Sequence, residues 1–293
     1  MSAWPTRLLL DGAVGTELIA RGLAAGTECP EAWNVERPDD VQGLHAAYFE
    51  AGAQAVQTNT FGANRLRLSL FGRQTDVRSL NVAGALLARE VRPTGSFVIG
   101  SLGPTGALPP PEGNADLIEL EDTYAEQAMA LAEGGVDALH IETQYHPKEA
   151  RAAIRGAREG APGLRLIASM TCRRHGSAYT TRLGFAPEVL LQVFLEEGVH
   201  AVGVNCSLAP ADMLDLVRLV KTKTELPIVA KPALMPNGTT RLPPEELATG
   251  ALALFAAGAW AVGGCCGAGP EHIRAAKAAL DRAPNSLEEL NIV

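Results

Sequence analysis

Short apolar runs alternate along the chain with longer segments whose apolar residues recur at helical spacing. The runs are "LLLDG" from Leu8, "QAVQTNTF" from Gln54, "FVIGSLGP" from Phe97, "ALHIET" from Ala138, "RLIASMT" from Arg165, "AVGVNC" from Ala201, "PIVAKPA" from Pro227 and "WAVGGCC" from Trp260. Their length and continuous hydrophobicity predict buried parallel strands. Segments such as "DDVQGLHAAYFEAG", "LEDTYAEQAMALAEGG", "APEVLLQVFLEEG" and "EELATGALALFAAG" lie between them and predict helices, several closed by glycine. Eight strand-helix units of roughly 35 residues, without a linker or shift in composition, predict a closed (β/α)8 barrel of the TIM type rather than an open doubly wound sheet. We expect a single domain over residues 1–293. The irregular stretch from Gly12 to Asp39 and the prolines Pro109, Pro110 and Pro111 mark two long loops. Each follows a strand, so each belongs over the C-terminal face, where such barrels shape a substrate pocket.

Composition narrows the class. A hydrophobic fraction of 47% with 20% charged residues is enough to bury a sizeable core. The net charge of -8 is spread without a basic block, which argues against a nucleic-acid partner. No run of about 18 apolar residues occurs, and the opening "MSAWPTRLLLDGAVG" lacks the layout of a signal peptide, so a soluble cytoplasmic protein without membrane contact is expected. The 5 cysteines are odd in number and irregular in spacing, as for thiols kept reduced. Any cluster among them then points to metal or catalysis.

The ends of the eight runs carry Asp11, Asn59, Thr60, Glu142, Thr171, Cys172, Cys206, Lys231, Cys265 and Cys266. Buried strands have little reason to carry such groups unless that rim is a site, since burying an unpaired amide or hydroxyl costs on the order of 2–7 kcal/mol. A vicinal Cys265-Cys266 pair on its own is readily explained as two small core residues. The barrel register places Cys206 on the same rim, and Gly263, Gly264 and Gly267 give the backbone freedom to turn both members of the pair toward one ion. Three thiolates with an open fourth position suit a catalytic Zn2+. Asp11 and Glu142 add two carboxylates, each of which alone is equally well explained as a structural acid; together they suit the ammonium of a substrate. The turn from Gly12 through Ala13 and Gly15 to Thr16 can hold a carboxylate on its N–H groups, and an ammonium anchor beside such a nest suits an amino acid. The turn lacks the Lys of a P-loop and the third Gly of a dinucleotide fingerprint. Cys172 is expected to be a non-ligand, Cys29 a loop thiol, His175 solvent-facing, and Lys231 a partner of a rim acid.

The segments "LLLDGAVGTEL", "AYFEAGAQAVQTNTFGANRLRL", "GSLGPTG", "EGGVDALHIET", "VGVNC" and "VGGCCGAGPEHI" resemble the homocysteine S-methyltransferase family over Leu8 to Leu280. That family includes the homocysteine-binding module of cobalamin-dependent methionine synthase and the betaine-homocysteine methyltransferases, and "NTFGANRLRL" is worded more like the former. The resemblance implies zinc on Cys206, Cys265 and Cys266, homocysteine as the partner on the open position, its ammonium near Asp11 and Glu142, and its carboxylate at Gly12, Ala13, Gly15 and Thr16. It also implies methionine as product, hence a role in methionine biosynthesis. The tyrosine of betaine-type enzymes is matched by Gly62, and the asparagine of the methionine synthase module falls nearest Ala233, with Asn237 four residues on. With the chain ending at Val293, an external donor is expected: methylcobalamin on a separate corrinoid protein, S-methylmethionine or S-adenosylmethionine. An aromatic content of 5% disfavours a betaine cage, although Trp33 and Phe61 can approach the rim. Two alternatives compete: a metal-dependent aldolase or lyase using Lys231 or Glu142 as base, and a non-catalytic homocysteine- or metal-binding subunit.

Overall fold

The computed structural model describes residues 4–283, so both ends of the expected 1–293 domain extend outside the described residues. Each apolar run contains one strand: β1 Leu8–Leu9, β2 Ala55–Gln57, β3 Phe97–Leu102, β4 Ala138–Gln144 and β5 Arg165–Met170. A short pair, β6 Arg173–His175 and β7 Ala178–Thr180, precedes β8 Ala201–Asn205, β9 Ile228–Lys231 and β10 Ala261–Val262. The eight-stranded sheet runs β1-β10-β9-β8-β5-β4-β3-β2. Every neighbouring pair in it is parallel. A parallel bridge between Leu10 and Ala55 joins its two ends, and the Gln54 N–H donates to the Leu9 carbonyl at 2.7 Å. The sheet thus closes into the expected (β/α)8 barrel. Except at β4, which extends one residue beyond its run, the strands are shorter than the apolar runs because the runs continue past them into the loops above.

Period-2 alternation divides the interior into two storeys. Leu8, Leu10, Ala55, Phe97, Ile99, Ile167, Ala201, Val229 and Ala261 point inward and form one apolar cluster. Trp4 closes it from below, its ring stacked 4.1 Å from Phe97. Two residues further along the strands, the same inward register brings Gln57, Ser101, His140, Ser169 and Lys231, all buried. The outward positions, among them Leu9, Val56, Val98, Leu139, Ile141, Leu166 and Val202, pack with the helices in the larger core. A floor of hydrocarbon and a ceiling of polar groups follow from one sequence pattern.

The expected loop from Gly12 to Asp39 contains short helices, Gly15–Ala20 and Trp33–Glu36, and a 3-10 turn at Pro30–Ala32. It is tied to the chain above β2 by reciprocal amide bonds. Asn34 Nδ2 donates to the Asn59 carbonyl at 2.8 Å, and Asn59 Nδ2 donates to Asn34 Oδ1 at 2.9 Å. The β6–β7 hairpin was not expected. Its two-residue Gly176-Ser177 loop is a recognised hairpin signal, but β6 is polar and exposed and β7 offers only Tyr179 to the core, so no apolar alternation marks the strands. No helix among the described residues is long and apolar enough to cross a membrane.

Candidate active site

The sulfur atoms of Cys206, Cys265 and Cys266 all lie within 4.8 Å of one another. Cys206 Sγ and Cys266 Sγ are 3.4 Å apart, and all three side chains are half-buried. Cys206 leaves β8 in the left-handed region, φ 61, followed by Ser207 at φ 56. Its N–H donates to the Lys231 carbonyl at 2.9 Å, which fixes this turn to β9. The Cys265 N–H donates to the Pro232 carbonyl at 2.7 Å, and the Cys266 carbonyl accepts from Leu234 at 2.8 Å. Both cysteines of the pair are therefore anchored on the segment after β9. Of the glycines expected to bend this strand end, Gly267 has the left-handed φ, 84. Gly264 instead allows close approach, since a Cβ there would lie 2.2 Å from Ala268 Cβ.

The donor set fits zinc. Four sulfurs at about 2.3 Å around a tetrahedral ion stand about 3.8 Å apart, and the three sulfurs already have this order of spacing. Hydrogen bonds from Cys265 and Cys266 hold the Cys206 thiol down to about 3. The same sharing pushes Cys266 up to about 12 and Cys265 well above the ordinary thiol value, so one thiol of the trio gives up its proton readily while the other two hold theirs. Cys29 and Cys172 stand outside the trio, both buried, and burial pushes each thiol up to about 12. Cys172 lies buried just past the end of β5, outside the group of three sulfurs.

A cavity of about 360 Å3 opens over the sulfurs. Glu142, the turn from Gly12 to Thr16, Phe61 and Glu31 line it. Glu142 enters from the end of β4. Its Oε1 accepts from Gln57 Nε2 at 2.7 Å and Ser101 Oγ at 2.6 Å, and its Oε2 accepts from Asn205 Nδ2 at 3.2 Å. Burial raises its carboxyl above the usual range, against the pull of Lys231. Asp11 does not line the cavity; it is fully buried at the end of β1. Its Oδ1 faces Lys231 Nζ at 2.7 Å and its Oδ2 accepts from the Gln57 N–H at 2.6 Å. The Lys231 pairing with a rim acid is therefore present. Burial alone would lower the Lys231 ammonium, but Asp11 and Glu142 outweigh it and the net shift is upward. In the turn after Asp11, the Ala13 N–H is taken by the Ala268 carbonyl at 2.8 Å, and Thr16 Oγ1 accepts from Gly267 N–H at 3.2 Å.

These groups form one connected network. Gln57 accepts from Lys231 at Oε1 and uses its amide hydrogens on Glu142 and on His140 Nδ1, the latter at 3.1 Å. His140 then donates from Nε2 to Ser169 Oγ at 2.6 Å. Burial, with Lys231 nearby, pulls this imidazole down to about 3, so it is neutral at pH 7. Gln57, Ser101, His140, Ser169 and Asn205 were not singled out from the sequence, yet the signal was there: each continues the inward period of its strand with a polar residue. Glu31 was also missed. Its Oε1 accepts from the Gly62 N–H at 2.6 Å, and no strand register marks it. Trp33 is buried under Arg37 away from the cavity, His175 is exposed, and Ala233 is buried.

The homocysteine S-methyltransferase family profile matches residues 8–280. The methionine synthase of Mycobacterium tuberculosis is 36% identical over 92% of this chain, and that of Mycobacterium leprae 34% identical over 93%. The chain spans 24% of the length of each of these relatives. Among solved structures, the homocysteine methyltransferase MmuM from Escherichia coli in its metallated form is 26% identical, with a TM-score of 0.77 over 94% of this chain and 96% of that one.

Proposed function

The chain belongs to the homocysteine S-methyltransferase family, and from this we propose that it transfers a methyl group to the sulfur of homocysteine, giving methionine, with zinc held by Cys206, Cys265 and Cys266. The observation that carries the reading is the convergence of three sulfurs within 4.8 Å at the base of a cavity lined by a buried carboxylate. Zinc at such a centre supplies a Lewis acid that lets a coordinating thiol lose its proton at neutral pH, where a free thiol of pKa about 8.5 is mostly protonated.

The chain's own residues do the rest. Glu142 receives the substrate ammonium, and the Gly12–Thr16 turn faces the carboxylate with groups other than the Ala13 N–H, which the Ala268 carbonyl already holds. Asp11, bound to Lys231, acts in this reading behind the surface: it holds the ammonium of Lys231 beside Gln57, which in turn orients Glu142. The substrate thiolate attacks the methyl carbon in line, and the bond from that carbon to the donor breaks with its electron pair leaving on the donor. Phe61 is the one aromatic side chain among the described residues that line the cavity. A cage for a quaternary ammonium needs more, which supports a corrinoid-bound methyl group, S-methylmethionine or S-adenosylmethionine over a betaine. Lys231 is paired and kept protonated, which disfavours its use as the base or imine-forming amine of an aldolase.

The test is a donor panel on zinc-replete protein with homocysteine, measuring methionine. The expected outcome is about one zinc per chain and product from one donor class. A folded, metal-free protein that binds homocysteine as tightly as the zinc-replete one would defeat the reading.

A further inference from the structure

The β4–β5 ladder shifts register between Ile141 and Gln144, so β4 bulges at Glu142 and Thr143. Thr143 sits there in the left-handed region at φ 62, and just past the end of β8 Cys206 and Ser207 are left-handed too. Residues with a Cβ hold such conformations only where their surroundings enforce them, and bulges beside active sites serve to re-aim a side chain.

One side chain spans the two irregular segments. Asn205, buried at the end of β8, accepts from the Thr143 N–H at 2.8 Å through Oδ1. Its Nδ2 donates to Thr143 Oγ1 at 2.7 Å and to Glu142 Oε2 at 3.2 Å. The amide therefore takes up the N–H at the bulge and both hydroxyl and carboxylate of the residues that form it. The next residue in the chain is Cys206.

The two oxygens of Glu142 differ. Oε1 is engaged by Gln57 and Ser101, whereas Oε2 has the long bond from Asn205 and retains acceptor capacity toward the cavity that Glu142 lines. We infer that Asn205 is a positioning residue that aims Glu142 Oε2 at the substrate ammonium and fixes that anchor at a set distance from the sulfur site at Cys206. The inference rests on the functional reading above. It implies that Asn205 governs recognition of the amino group and not of the thiol.

Asn205→Asp tests this, because Asp retains an oxygen for the Thr143 N–H but removes the donor to Glu142. Zinc-loaded wild type and variant are titrated calorimetrically with L-homocysteine and with 4-mercaptobutanoate, which has the thiol and carboxylate but no amine. The variant is expected to bind homocysteine about tenfold more weakly, to bind 4-mercaptobutanoate within about twofold of wild type, and to keep its zinc. Equal weakening of both ligands, or retained preference for homocysteine, overturns the inference alone. A wild type that ignores both thiols overturns the functional reading and this inference with it. A measurement without any variant stands beside it: the assigned side-chain amide resonances of Asn205 should shift with homocysteine and stay in place with 4-mercaptobutanoate, and the same shift with both would also overturn it.

Discussion

Lys231 Nζ lies 2.7 Å from Asp11 Oδ1 inside the barrel, with both side chains almost wholly buried, so β1 and β9 are joined by an ion pair across 220 positions of sequence. Gln57 completes it by accepting from Lys231 with its side chain and donating to Asp11 with its backbone. Burying two charges is costly, and removing one of them leaves the other uncompensated. Lys231→Met is therefore expected to destabilise the fold by about 3–5 kcal/mol in urea unfolding. Asp11→Asn combined with Lys231→Met should recover part of that loss, a coupling that independent sites would not show.

The metal centre should behave in the opposite way. The three sulfurs stand on loop segments above the ladder, half-buried, while the barrel core is hydrocarbon that needs no ion. Cys265→Ala is expected to abolish stoichiometric zinc and methyl transfer yet leave the far-ultraviolet circular dichroism unchanged. Chelation of the native protein should do the same, reversibly. Loss of the fold on chelation would show that the metal is structural.

The architecture was legible because it depends on repetition. Eight apolar runs at near-regular spacing specify eight strands whatever their exact ends, and the ends were the least accurate part: β1 and β10 hold two residues each within runs of five and seven residues. The sulfur trio was legible for the same reason, since strand ends converge on one rim. What stayed hidden depends on contacts between distant segments. Nothing local in "GTECPEAWN" indicates that Glu31 reaches the Gly62 N–H, and the expected pairing of Lys231 with a rim acid did not say that the acid is Asp11, which it draws away from the cavity. The hairpin at Arg173–Thr180 was missed because one strand is exposed and polar and the other is three residues long, too short to show a hydrophobic period.

Gly62 and Glu31 provide a third test. A Cβ at position 62 would stand 2.8 Å from Glu31 Oε1, the oxygen that accepts the Gly62 N–H. The carboxylate thus fills the space that a side chain at position 62 would need. Gly62→Ala is expected to displace Glu31 and cost about 1–3 kcal/mol for the buried bond lost. In a Glu31→Ala background the same substitution should cost markedly less, which a double-mutant cycle by thermal unfolding will read. Equal costs in the two backgrounds would mean that the contact is not the constraint.

Acid sensitivity is expected to come from His45 as well as from the site. His45 is fully buried in the helix Pro38–Glu50, neither ring nitrogen has a hydrogen-bond partner, and burial, with Arg21 nearby, pulls the imidazole down to about 4 from 6.5. The folded form therefore binds fewer protons than the unfolded chain between these two values. Stability from this group is full above pH 6.5 and falls as pH drops toward 4, a loss of about 3 kcal/mol across the window. His140, pulled down to about 3, acts in the same direction and extends the loss to lower pH. His45→Leu removes one titrating group without adding a buried polar atom. It should flatten the dependence of urea midpoint on pH between 6.5 and 4 while leaving the His140 contribution in place. An unchanged slope in His45→Leu would assign the acid response elsewhere.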